Sequence, residues 1–112
     1  MEGSTQQQSV YWIQQGDVII YPKAIPKGAK RVNKSILAEG EQTGHRHEVM
    51  EPDVCGLETY EMDGEIYIKA ALDAPLTHQE HHAQKIPATI EHEIVRVQEY
   101  DHMLEEARQV AD

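Results

Sequence analysis

The chain has 112 residues, a net charge of −10 with its histidines neutral, and 39% hydrophobic residues with no phenylalanine among them. Twenty acidic against ten basic side chains leave little means of neutralising phosphates, so nucleic acid is not an expected partner, and the same acidity argues against anionic membranes. The single cysteine, Cys55, permits no internal disulfide, no window reaches the apolar length of a membrane span, and "MEGSTQQQS" lacks the basic and apolar regions of a signal peptide; a reducing, cytoplasmic address is expected.

In chain order, residues 1–9 are polar and Gln-rich and read as a loose tail, with residues 10–112 forming one small β domain. "VYWI" and "GDVIIYP" follow, the second a run of β-formers between Gly16 and Pro22. This second run is apolar on both faces, which suits a central strand or one covered by a second subunit, and a homo-oligomer (a dimer or higher) is expected. "AIPKGAKR" reads as a turn. "RVNKSILAEG" reads as one strand with Val32, Lys34 and Ile36 on a common face.

"LETYEMDGEIYIKAAL" sets Asp63-Gly64 between two alternating runs, a strong hairpin signal. "DAPLTHQEHHAQKIPA" is polar and punctuated by Pro75 and Pro87. "TIEHEIVRVQEY" alternates again. "DHMLEEARQVAD" suits a short amphipathic helix or an extended tail. About six or seven strands at short intervals make the fold mainly β, a small barrel or sandwich.

Chemistry concentrates in the histidines, of which there are seven. In "GHRH", His45 and His47 stand two apart. On a strand they project from one face with Cα atoms about 6 to 7 Å apart, close enough for two imidazoles to share an ion. In "LTHQEHH", His78 and His81 are three apart on a turn, with Glu80 and His82 beside them. Imidazole ligates zinc, iron and nickel, and three or four such ligands make a metal site. His92, inside an alternating run, reads as a plain strand residue, and His102 as a solvent-facing one.

The first histidine segment resembles the first motif of the cupins, small β-barrels whose motif carries a glycine, a His-x-His pair and a following glutamate. Gly40, His45, His47 and Glu51 match it, with the first gap one residue short. "APLTH" echoes the second motif without its glycine. The resemblance implies a cupin-like barrel with a site of His45, His47, Glu51 and His78. A second resemblance spans nearly the whole chain. "QGDVIIYP", "IPKGAK", "LAEGEQTGHRHEV", "LTHQEHHAQKIPA" and "VRVQEYD" look like a family of small bacterial and mobile-element proteins with no assigned activity, so it transfers none. This chain departs from that family at His82, where a glycine is usual, and in "ATIEHEI", a stretch usually richer in Gly and Tyr.

Other chemistries lack their signatures. There is no Gly-x-Ser-x-Gly elbow and no P-loop spacing, and Cys55 sits among acids that disfavour a thiolate. Glu80 is the one carboxylate placed to act as a base beside the histidines. Two readings stand. One is a metal-binding β-barrel with His45, His47, His78 and His81 as ligands and Glu51 and His82 as weaker candidates; it extends to a small metalloenzyme of hydrolase or dioxygenase type. The other is a non-catalytic acidic module that binds a protein partner or assembles with itself.

Overall fold

The computed structural model describes residues 11–39 and 44–97. The tail at 1–9, Gly40, the helix or tail expected near the C-terminus, and His102 lie outside the described residues.

Ten short strands and one helical turn follow in order: β1 (Ile13–Gln15), β2 (Val18–Pro22), β3 (Lys30–Val32), β4 (Ile36–Glu39), β5 (Arg46–Val49), α1 (Pro52–Cys55), β6 (Glu58–Met62), β7 (Glu65–Lys69), β8 (Ala74–Thr77), β9 (Gln84–Ile86) and β10 (His92–Arg96). They form two antiparallel sheets. The six-stranded sheet has the order β1-β2-β10-β7-β6-β3, and the four-stranded sheet β4-β5-β8-β9. The sheets face each other as a sandwich and do not join into a closed barrel. Among the described residues no helix is long and apolar enough to cross a membrane.

Local chemistry sets the turns. The β6–β7 hairpin turns on Asp63 (φ 53°) and Gly64 (φ 81°), the pair of left-handed residues that the twist of a two-residue loop demands. The β1–β2 hairpin turns on Gly16 (φ 58°) and Asp17. Proline opens α1 and the left-handed Gly56 ends it, its N–H donating to the Pro52 carbonyl.

"GDVIIYP" is a central strand: β2 lies between β1 and β10, and Val18, Ile19 and Ile20 are all buried. "RVNKSILAEG" is not one strand. It breaks into β3 and β4, which belong to different sheets, so the shared face of Val32, Lys34 and Ile36 does not exist. Residues 33–35 carry the chain from one layer to the other, and Ser35 gives its carbonyl to the N–H of Val49.

The core fills the space between the layers. Val18, Ile20, Ile68 and Ile94 of the larger sheet meet Leu37, Val49, Ala74, Leu76 and Ile86 of the smaller, with Cys55 at the edge of the same cluster. The outer face of the larger sheet also buries residues. Tyr21, Glu93 and Tyr67 lie opposite one another across three strands, and Glu93 is 1% exposed. Its carboxylate is satisfied by the Tyr21 hydroxyl at 2.5 Å and by Lys23 Nζ at 3.1 Å. Where β1 approaches β9, no backbone ladder links the layers. The buried Gln15 side chain ties them instead, its amide donating to the carbonyls of Leu76 (3.0 Å) and His82 (2.9 Å).

Candidate functional site

The two histidine clusters meet. β5 and β8 pair with Glu48 opposite Thr77, so one step further along the ladder His47 and His78 become cross-strand neighbours. Their ring centroids are 4.4 Å apart. His45, just before β5, lies 5.5 Å from His78 edge-on, and His81 lies 4.5 Å from His78. The loop holding His78 and His81 is fastened to β5 by the Gln79 side chain, which accepts the Arg46 N–H at 2.8 Å.

His47 is the fixed member, 2% exposed. The Gln15 amide nitrogen is committed to two carbonyls, so its Oε1 faces His47 and accepts from Nδ1–H at 2.8 Å. The proton on Nδ1 leaves the lone pair on Nε2, which points to Asp17 Oδ1 at 3.4 Å. The other Asp17 oxygen accepts from Arg96 Nη1 at 2.6 Å, and Arg96 Nη2 donates to the Glu39 carbonyl. His78 is oriented differently: its Nδ1 accepts the Glu80 backbone N–H at 3.0 Å.

The electrostatics favour the neutral form of His47 and His78. Burial pushes His47 below the ordinary imidazole range and the neighbouring His78 adds to it, against the opposing pull of Asp17. Desolvation, then His81 and His45, lower His78. Desolvation works to raise Asp17, but the Arg96 charge and the Arg96 hydrogen bond outweigh it and hold the carboxyl below its usual range.

Of the remaining candidates only Glu80 borders this centre. Glu51 is exposed at the start of α1. His82 is exposed and contributes its carbonyl, to Gln15, rather than its ring. Glu80 is exposed and 3.6 Å from His45 Nδ1. His92 is fully buried on β10, its Nε2 3.0 Å from the Tyr11 hydroxyl, while its Nδ1 makes no hydrogen bond of good geometry. Among the described residues no three His, Cys, Asp or Glu side chains already form a ready-made metal cradle. The rings meet with their planes tilted toward one another, and His78 has its Nδ1 engaged by backbone, so they present surfaces to each other rather than converging lone pairs.

Gln15, Asp17 and Arg96 were not candidates from the sequence. "QQGDVI" carries a usable signal for the first two: a Gly-Asp hairpin loop displays the residues beside it at the end of a sheet. Gly16 itself belongs to the site. A Cβ there would lie 2.6 Å from His81 Nε2, so the imidazole rests on the bare backbone of the turn.

No curated protein and no solved structure matches this chain. A family model, a domain of unknown function designated DUF8820, matches residues 14–90, a span that runs from the Gln15 hairpin through both histidine clusters and stops before β10. The chain therefore belongs to the DUF8820 family.

Proposed function

We propose that this protein binds a divalent transition metal through the histidines gathered at the edge of the sandwich. The observation that carries the reading is the meeting of His45, His47, His78 and His81 from two separate segments, each ring within 5.5 Å of His78. A set dominated by imidazole suits zinc, nickel or iron better than calcium or magnesium, which prefer oxygen. Ligation requires the side chains of His45, His78 and His81 to rotate; His47 is already held. The cupin-like reading rests on His45 and His47 of the first motif and His78 of the echoed second, with Glu51 standing apart. The lone buried thiol of Cys55 fits a reducing cytoplasm.

Elemental analysis of protein purified without a histidine tag tests this. About one equivalent of metal in the wild type, lost in a His45→Ala/His47→Ala variant, is the expected result. Metal content that is negligible, or unchanged by that variant, refutes it.

A second reading, self-assembly, is favoured by the exposed apolar side chains around α1. Met50 and Val54 sit there, and Leu72 joins them because its N–H donates to the Cys55 carbonyl. Light scattering of the wild type and a Val54→Glu/Leu72→Glu variant distinguishes a dimer or larger assembly from a monomer.

A further inference from the structure

We infer that Asp17 is the oxygen ligand of this site, sharing its first cation seat with His47 Nε2, and that Gln15 and Arg96 are the positioning residues behind the pair. The inference rests on the metal reading above and gives it a starting geometry. Asp17 comes from the β1–β2 hairpin of the six-stranded sheet, and His47 from β5 of the four-stranded sheet.

Gln15 Oε1 holds the His47 proton on Nδ1, so in the neutral ring Nε2 is an acceptor. The atom it faces, Asp17 Oδ1, is an acceptor too. Two acceptors aimed at each other across 3.4 Å repel unless something positive lies between them. The spacing suits a metal ion. Two bonds of about 2.0–2.1 Å meeting at the tetrahedral angle set their donor atoms about 3.3–3.4 Å apart.

Both donors are also held from behind. The Gln15 amide fixes the plane and tautomer of His47, and Arg96 grips the far oxygen of Asp17 at 2.6 Å, turning the near one toward the ring. Outer-shell hydrogen bonds of this kind accompany metal-ligating imidazoles and carboxylates and set their orientation. A third imidazole is close by: in the loop after β8 the His81 ring lies on Gly16, the residue next to Asp17, and would have to turn to join the pair.

The test uses the full chain without a tag, stripped by chelator and titrated with Co(II), whose visible absorption reports both affinity and the nature of the donors. Asp17→Asn keeps the shape of an exposed turn residue and removes its charge. It is expected to weaken Co(II) binding by about tenfold or more and to alter the spectrum, and Gln15→Leu to weaken it about ten- to a hundredfold. Nitrogen-15 NMR of the metal-free wild type, independent of any variant, is expected to show His47 protonated on Nδ1. Co(II) binding in Asp17→Asn within about twofold of wild type, alongside its loss in His45→Ala/His47→Ala, overturns the role of Asp17 and leaves the histidine site standing. A His47 proton on Nε2 overturns the proposed seat. A wild type that takes up no Co(II) overturns this inference and the metal reading together.

Discussion

Replacing Gly16 with alanine strikes the hairpin and the histidine centre at once, and the structure separates the two effects. Gly16 has φ 58°, and its Cβ would stand 2.6 Å from His81 Nε2 and 2.7 Å from Cδ2. The left-handed conformation costs a residue with a Cβ about 1–2 kcal/mol. The contact is severe as drawn, but His81 is an exposed side chain at the end of a loop and can swing aside, so its share of the lost stability is the smaller one. Gly16→Ala is therefore expected to lose about 1–2 kcal/mol in urea unfolding, a drop of roughly 4–8 °C in Tm per kcal/mol for a domain of this size. Repeating the substitution in a His81→Ala background removes the contact and keeps the backbone strain, so most of the loss is expected to remain, with a coupling below about 1 kcal/mol. On the proposed metal reading, affinity for Co(II) is expected to fall as well, here through the displaced His81 ring rather than through backbone strain. A Gly16→Ala protein with wild-type stability, or a loss that vanishes in the His81→Ala background, refutes this division.

Ile68→Ala and Leu76→Ala, one on each inner face and both fully buried, are each expected to cost about 2–5 kcal/mol in denaturant unfolding; losses under about 1 kcal/mol would contradict the packed interior. Gly64→Ala, where a Cβ meets nothing within 4 Å but φ is 81°, is expected to lose about 1–2 kcal/mol from strain alone, with Co(II) titration of the proposed site unchanged. Burial holds His92 below the ordinary imidazole range, partly offset by the Ile90 carbonyl. As pH falls through about 6.5 the unfolded chain takes up that proton first, so stability declines from there down to the folded-state value. Urea midpoints of metal-free protein at pH 7.5 and 5.5 are expected to show this decline, with a shallower one in His92→Asn; equal slopes in the two proteins would contradict it.

The features legible in the sequence were those written in neighbouring residues. Asp63-Gly64 announces its hairpin because both required left-handed conformations fall on residues that tolerate them, and "VIIY" announces a doubly covered strand because no polar residue interrupts it. The histidine clusters could be paired as candidates because each is compact along the chain. What escaped depends on tertiary placement. Nothing local marks Asn33 to Ser35 as the passage between sheets, since either sheet could have continued the alternation of "RVNKSIL". Gln15 reads as an ordinary polar strand residue until the edge where β1 approaches β9 buries it. Arg96 lies far along the chain from Asp17, and only the alignment of β10 on β2, with Arg96 opposite Val18, brings the two together.

Asp17 and His47 stand on different layers, and neither layer alone contains both. An ion held between them would act as a rivet through the sandwich, present only in molecules whose halves have docked. Free ion at a hundred times its dissociation constant would then add about 2.7 kcal/mol to folding, a large supplement for so small an interior. Starved of metal, cells would be expected to lose this protein to proteolysis through the parting of its two layers.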